Sequence, residues 1–178
     1  MARITQRLGL TRFEADEYYK KALAAYEKRS LDEALINLSD AINALPNNSE
    51  YYAARGFMYL EDGIDDKAAA DFNQALKLYP YEMLAHYGLG VVAYREKRWE
   101  IALKHFLAAY QADPKRSETL YYLALVYYQQ RDYASALQVM KQALDLLDAA
   151  GDKRKIDAQK WVRVLEKLAN LPGLPAGG

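Results

Sequence analysis

Apolar and polar residues alternate with helical periodicity from Glu14 almost to the end of the chain, so the sequence predicts an all-α protein. In the second helix of each predicted pair, a large apolar residue lies between two alanines on one face, as Phe72 does between Ala68 and Ala75. Small residues beside a large one allow two helices to approach closely while the large side chain fills the remaining gap. Very short turns make neighbouring helices antiparallel. The predicted helices lie near residues 15–29, 31–45, 49–62, 65–79, 83–97, 99–112, 117–130 and 133–148.

Proline and short polar side chains predict where these helices end and begin. Pro46, Pro80 and Pro114 cannot continue a helix interior, and they disfavour helix at the preceding residue. Ser49 and Ser117 stand where a side-chain oxygen can cap the first free amides of the next helix. Carboxylates near the starts of the second helices are favoured by the positive ends of those helices. These carboxylates belong to Asp32, Asp65, Asp66 and Asp132.

The helical pattern recurs with a fixed period. The three prolines are 34 residues apart, and the same interval separates the members of two columns of alanine. Such a period predicts a stacked repeat architecture, whose binding surfaces are shared by several copies. Gly56 and Gly90 also occupy equivalent positions, and glycine inside a helix costs up to about 1 kcal/mol relative to alanine, so we expect close helix packing there. The alanine columns are Ala34, Ala68, Ala102, Ala136 and Ala41, Ala75, Ala109, Ala143.

The repeating unit resembles the tetratricopeptide repeat (TPR), whose pattern is W-x2-L-G-x2-Y followed by A-x3-F and P. The third unit has Leu89, Gly90, Ala102, Phe106 and Pro114 at positions of this pattern. The fourth unit lacks the final proline, so we expect its last helix to continue to about residue 150. The resemblance implies a right-handed helical-hairpin solenoid, the TPR superhelix, in which the first helices of the repeats line a concave groove.

The segments outside the repeats are short. The N-terminal segment contains three arginines and no acidic residue, and we expect a frayed tail, with a targeting or membrane-surface segment as the alternative. Gly151 breaks the chain after the last repeat. The predicted segments are a tail at 1–13, four repeats within 14–150 (about 15–48, 49–82, 83–116 and 117–150), a capping helix at 151–171 and a disordered tail at 172–178.

The predicted capping helix is amphipathic. The last repeat of a stack would otherwise leave its apolar face in water, and an amphipathic helix covers that face. A partner-binding helix is the alternative interpretation. The apolar face consists of Ala158, Trp161, Val162, Leu165, Leu168 and Ala169.

Composition and charge limit the classes of function. Lys plus Arg equals Asp plus Glu at 24 each, so no global field would attract nucleic acid or an acidic membrane. The chain has no cysteine, which excludes disulfides and thiolate chemistry. No apolar run approaches the roughly 20 residues of a membrane span, and the N-terminus lacks the apolar core of a secretory signal. We therefore expect a cytoplasmic protein.

Candidate catalytic and metal-binding groups are sparse. A zinc site built on the two histidines, His86 and His105, would need suitably arranged carboxylates. His86 occupies a position otherwise filled by tyrosine or leucine and is expected to pack, whereas His105 is expected in solvent. The sequence shows no nucleophile–base pair, phosphate-binding glycine loop or paired-carboxylate motif. We therefore predict no catalytic site, no metal and no cofactor.

A second apolar stripe runs along the first helices, beside the stripe that packs on the helix partner. A second stripe needs a second surface to bury it. Tyrosine outnumbers phenylalanine and tryptophan together by 16 to 6, and tyrosine is favoured at interfaces. The TPR resemblance implies that this stripe faces the concave groove, and packing between adjacent first helices is the alternative. The predicted groove residues are Tyr19, Leu23, Tyr26, Phe57, Leu60, Tyr87, Val91, Tyr94, Tyr121, Leu125 and Tyr128.

Acidic residues at the rim of this groove indicate the kind of partner. Asp16, Glu50 and Glu118 lie one helical step from the stripe, which favours a protein or peptide with apolar anchors and some basic residues. Some TPR proteins bind acidic chaperone tails through Lys, Asn and Arg, but the corresponding positions do not match here in either register. We hypothesise a non-catalytic adaptor that binds a peptide or helix of a partner. The alternative is a structural protein that self-associates into a homo-oligomer.

Overall fold

The computed structural model describes residues 10–170, which form nine α-helices joined by short turns and contain no strand. The fold is an all-α helical-hairpin solenoid, which confirms the predicted class. The helices are α1 (Leu10–Glu27), α2 (Leu31–Ala44), α3 (Ser49–Glu61), α4 (Asp65–Leu78), α5 (Met83–Arg95), α6 (Trp99–Ala112), α7 (Ser117–Gln129), α8 (Tyr133–Ala149) and α9 (Lys155–Ala169).

The observed helix ends differ from the prediction mainly at the N-terminus. α1 begins at Leu10 rather than at residue 15, inside the segment predicted as a tail (1–13). The remainder of that tail and the tail predicted at 172–178 lie outside the described residues. α8 ends at Ala149, close to the expected end near residue 150.

Two predicted helix caps are wrong. Ser49 is the first residue of α3, and the cap is Asn48, whose side-chain oxygen accepts a hydrogen bond from the Glu50 N–H at 2.9 Å. Ser117 is likewise the first residue of α7, and the preceding Arg116 makes no side-chain capping bond. Asparagine caps a helix as well as serine does, so the spacing of the repeats alone could not decide between adjacent candidates.

The described chain divides into two compact units between Leu89 and Gly90, inside α5. In the N-terminal unit (residues 10–89), α1 pairs with α2 and α3 pairs with α4, while α2 also contacts α3. In the C-terminal unit (residues 90–170), α7 pairs with α8, α9 packs on α8, and α6 contacts α7. The antiparallel hairpins of the repeats are therefore present in both units.

The alanine columns form the helix contacts predicted for them. All eight alanines are fully buried. A β-carbon built on Gly56 would lie 2.9 Å from the ring of Phe72, and one on Gly90 would lie 2.7 Å from the ring of Phe106. These distances confirm the close packing expected at the two glycines. The large residues between the alanines are also fully buried: Leu38, Phe72, Phe106 and Met140.

A nearly buried ion pair links three helices of the N-terminal unit. Arg55 on α3 donates from Nε and Nη2 to the carboxylate of Asp71 on α4 at 2.7 and 2.8 Å. Its Nη1 also donates to the hydroxyl of Ser39 on α2 at 3.2 Å. Asp71 is only 7% exposed. The bidentate pair joins the two helices of the second repeat, and the bond to Ser39 links that repeat to the first.

The turns within the four repeats share one backbone conformation. One residue in each turn has a positive φ, and the amide of the next residue donates to the carbonyl five residues before it, as Arg98 does to Ala93 at 2.9 Å. This bond satisfies a carbonyl at the C-terminal end of the first helix. The positive-φ residues are Arg29 (61°), Gly63 (75°), Lys97 (59°) and Arg131 (64°).

Candidate functional site

The predicted groove residues differ widely in exposure. Leu23 is the most open of them, with 40% of its surface exposed. Leu60, Tyr87 and Val91 are buried, with exposed fractions of 3%, 7% and 3%. These three side chains offer almost no area to a partner in this conformation. The half-buried members are Tyr19, Tyr26, Phe57, Tyr94, Tyr121, Leu125 and Tyr128.

Aromatic rings of adjacent first helices pair with each other in the N-terminal unit. The rings of Tyr19 and Tyr51 lie 5.2 Å apart in a tilted arrangement, and Tyr26 meets Phe57 edge to face at 6.0 Å. Such pairs contribute beyond the area they bury. Part of the stripe therefore holds α1 against α3. Packing between adjacent first helices was the alternative interpretation of this stripe.

The C-terminal unit uses its aromatic residues in the same way. Tyr94 meets Tyr122 edge to face at 5.5 Å, and Tyr128 meets Trp161 of α9 at 5.1 Å. Tyr121, Leu125 and Tyr128 also pack against the apolar core that includes residues of α9. The predicted capping helix thus covers part of the predicted groove in the fourth repeat.

Two rim carboxylates of the N-terminal unit accept hydrogen bonds from tyrosine hydroxyls. Tyr51 donates to Asp16 at 2.7 Å, and Tyr19 donates to Glu50 at 2.9 Å. Burial raises the pKa of both phenols, the carboxylates raise it further, and the pKa of Tyr51 reaches about 12. Both hydroxyls therefore stay protonated and donating at neutral pH, and no basic side chain among the described residues pairs with Asp16 or Glu50.

The third rim residue, Glu118, forms ion pairs within the chain. Glu118 lies 2.9 Å from Nη1 of Arg154, which precedes α9, and 3.9 Å from Nε of Arg116. Burial opposes ionisation of Glu118, but hydrogen bonds from its own backbone amide and from Arg154 lower its pKa overall. The same arginine lowers the pKa of Asp152 to about 2. A basic side chain of this chain thus occupies the position proposed for a partner's basic residue.

An open pocket adjoins the exposed part of the stripe in the N-terminal unit. Its volume is about 470 Å³, and Tyr26 and Leu31 supply its apolar lining. Burial and the nearby Glu61 carboxylate raise the pKa of Tyr26. Glu27 and Glu61, also in the lining, have no ion-pair partner among the described residues, while Arg29 completes the lining. We call this cavity the Tyr26 pocket.

The repeat period could have revealed the two carboxylates of this pocket. Glu27 and Glu61 are 34 residues apart and so occupy one column, immediately after the predicted groove stripe of each helix. The same column holds Arg95 and Gln129 in the later repeats. The predicted rim includes only the acidic column at the start of the first helices and not this second acidic column. The missed column distinguishes the first two repeats from the last two.

The described residues contain no metal-binding cluster. Within residues 10–170, no group of three or more His, Asp or Glu side chains is arranged to hold a metal ion. His86 is half-buried with Nε2 at 3.0 Å from the Pro80 carbonyl, and His105, expected in solvent, is half-buried as well. None of the described helices is long and apolar enough to cross a membrane.

Two family models match the chain, and both describe the tetratricopeptide repeat. One matches residues 19–83 and the other residues 81–149, so together they span about three quarters of the chain. Human intraflagellar transport protein 70B is 40% identical over 57 residues, which are 32% of this chain. The chain covers only 9% of that relative's length.

Solved structures of other repeat proteins share the fold. The APC/C hetero-tetramer Cut9–Hcn1 superposes with a TM-score of 0.77 at 19% identity, covering 89% of this chain and 31% of that one. YrrB, described as a TPR protein with an unusual peptide-binding site, gives a TM-score of 0.61 at 21% identity and covers 82% of this chain and 74% of its own. The periodic sequence, the helical hairpins and the family matches agree: this chain belongs to the tetratricopeptide repeat family.

Proposed function

We propose that the chain is a non-catalytic adaptor that binds a peptide or helix of a partner protein on the N-terminal unit. TPR folds serve as scaffolds for protein–protein interaction in general, which supports the broad class. The finer proposal concerns a surface made of Leu23, Tyr26, Phe57 and the Tyr26 pocket, which we call the Leu23–Tyr26 surface. A cytoplasmic location remains a prediction from the sequence.

The Tyr26 pocket beside exposed Leu23 is the observation that carries this proposal. Leu23, Tyr26 and Glu27 lie three and four residues apart on α1, so their side chains share one face of that helix. A partner could bury an apolar side chain against Leu23 while a second side chain enters the pocket. Combining an apolar anchor with a few polar groups is the usual composition of a recognition site.

The lining of the Tyr26 pocket holds two carboxylates, Glu27 and Glu61, against the single guanidinium of Arg29, so its charges favour a partner with basic residues. The aliphatic stem of a lysine or arginine fits against the Tyr26 ring and Leu31, and its charged end can reach Glu27 or Glu61. The carboxylates of Asp16 and Glu50 add negative charge on the same two first helices. The rim residues also predicted a partner with apolar anchors and basic residues, but we propose that Glu27 and Glu61 bind the basic groups.

Two synthetic helical peptides test the proposal by fluorescence anisotropy. Both carry the same pattern of leucines, and one has lysines (the Lys probe) where the other has glutamates (the Glu probe). We expect the Lys probe to bind and Leu23→Ser to weaken it about tenfold, because burying a leucine contributes on the order of 1.5 kcal/mol. Glu27→Gln with Glu61→Gln should weaken the Lys probe and reduce its dependence on salt.

Ile36→Ser is the matched control, since Ile36 on α2 is an exposed apolar residue, 63% accessible, that does not line the Tyr26 pocket. This variant should bind the Lys probe as the wild type does. Equal affinity for the Lys and Glu probes, or equal weakening by Leu23→Ser and Ile36→Ser, would contradict the proposal.

A further inference from the structure

The two units of the chain carry opposite net charge. Residues 1–89 contain ten Lys and Arg and fourteen Asp and Glu, whereas residues 90–178 contain fourteen Lys and Arg and ten Asp and Glu. The overall charge of zero therefore combines −4 in the first half with +4 in the second. A charge asymmetry of this kind favours contact between unlike units of two molecules and disfavours contact between like units.

The outward face of α9 carries three of the fourteen basic residues in the second half of the chain. α9 buries Ala158, Val162 and Leu165, and its opposite side is open to solvent. Ile156 and Val164 remain 56% and 44% exposed there. Helical spacing places three basic residues beside Ile156 on this face: Lys160, Arg163 and Lys167.

The basic groups of this face differ in their partners. Lys160 pairs with Asp157 at 2.9 Å, but both side chains are largely exposed, so the pair is weak. Arg163 and Lys167 form no ion pair within the part of the chain that the structure describes. Two exposed aliphatic side chains with unpaired cations make up the partner chemistry that the Leu23–Tyr26 surface favours.

We infer that the outward face of α9 of one copy docks on the Leu23–Tyr26 surface of another copy. Ile156 and Val164 supply the apolar anchors against Leu23 and Phe57, and Arg163 and Lys167 face Glu27 and Glu61. This inference rests on the proposed function, because it names the partner of that same surface. The two patches are different surfaces of one molecule, so the contact is heterologous and builds head-to-tail chains or rings.

The contact should be weak and sensitive to salt. One face of a 15-residue helix buries less than the roughly 800 Å² per partner of a standard interface. We therefore expect dissociation constants in the range of about 10 µM to 1 mM at low ionic strength. Because the charges involved are exposed, raising the salt concentration should weaken the association several-fold.

Sedimentation velocity of the full chain and two blocked variants tests this arrangement. Leu23→Ser/Glu61→Gln disables the acidic surface, and Ile156→Ser/Arg163→Gln disables the α9 face. The wild type should form species larger than a dimer as its concentration rises, and each variant alone should stay monomeric. An equimolar mixture of the two variants should form a 1:1 dimer and nothing larger, because each variant keeps the patch that the other lacks.

Several results would overturn the inference. A wild type that stays monomeric up to about 1 mM at low salt shows that the contact does not form. A mixture of the blocked variants that stays monomeric while the wild type associates shows a different interface. If the wild type is monomeric but binds the Lys probe at Leu23, the proposed function holds and only the identity of the partner is wrong. Circular dichroism of each variant confirms its fold.

Discussion

Gly88 lies so close to the ring of Phe72 that a β-carbon on Gly88 would overlap two of its ring atoms. Gly56 faces the same ring, with a distance of 2.9 Å for its β-carbon. Phe72 is fully buried, so this core ring of the second repeat packs against glycines of its own first helix and of α5. The third repeat differs, because Tyr122 holds the position equivalent to Gly88 and stacks on Phe106 at 5.4 Å.

Gly88→Ala should destabilise the fold by about 2–3 kcal/mol, because the added methyl group overpacks a site with no free space. Gly63→Ala is the control, since nothing lies within 4 Å of its β-carbon and only its φ of 75° is unfavourable for alanine. That change should cost about 1 kcal/mol. Urea unfolding monitored by circular dichroism measures both, and a smaller loss for Gly88→Ala than for Gly63→Ala would show that the ring moves freely.

The contact of Gly56 with Phe72 could be predicted from the sequence, but the contact of Gly88 with Phe72 could not. Gly56 and Gly90 form a column in the repeat alignment, so their packing role could be predicted. The column of Gly88 contains Ala54 and Tyr122, so no shared residue type marks it. Contacts within a repeat leave a periodic signal, but contacts with the following helix depend on which large residue each repeat happens to carry.

Removing only one partner of the Arg55–Asp71 pair should lower the free energy of unfolding. Asp71→Ala leaves a guanidinium that is only 21% exposed without its carboxylate, and we expect a loss of about 3 kcal/mol. The double variant Arg55→Leu/Asp71→Ala should lose less than the sum of the single losses. By comparison, Glu17→Ala removes the exposed pair with Lys20 and should cost less than about 0.5 kcal/mol. Additive losses in this double-mutant cycle would mean that the two side chains are not coupled.

Lys97→Gly should stabilise the protein. Lys97 has a φ of 59°, a conformation that costs an ordinary residue about 1 kcal/mol and costs glycine nothing. The second repeat already has Gly63 at this position. Thermal unfolding should show a higher midpoint for Lys97→Gly, whereas the same change at Lys104, in the middle of α6, should lower it. A lowered midpoint for both variants would show that the Lys97 side chain contributes more than the turn costs.

Alkaline pH should destabilise the N-terminal unit through Tyr51. Burial and the hydrogen bond to Asp16 raise the pKa of Tyr51 from 10.0 to about 12. The folded chain therefore keeps a proton that the unfolded chain releases in this pH range. The contribution of the protonated Tyr51 phenol to the free energy of unfolding is complete below pH 10 and is lost as the pH rises towards 12. Tyr51→Phe should show a shallower fall in unfolding free energy over this window. Identical pH profiles for wild type and Tyr51→Phe would mean that the phenol titrates normally.

The candidate site was harder to predict than the fold. Helical spacing identified the face that carries Leu60, Tyr87 and Val91, but spacing does not show how completely neighbouring residues cover a face. The structure buries these three and leaves Leu23 open. The partner of Glu118 was also unpredictable, because Arg154 belongs to a turn outside the repeats and has no periodic counterpart.

Paramagnetic relaxation enhancement tests the central proposal most directly. A spin label on the Lys probe broadens backbone amide signals of the protein that lie near the bound peptide. We expect the strongest broadening at Leu23, Tyr26 and Phe57 and weaker broadening at Ile36, and we expect Leu23→Ser to reduce the broadening at all of these positions. Broadening confined to the C-terminal unit, or unchanged by Leu23→Ser, would contradict a binding surface on the first helices of the N-terminal unit.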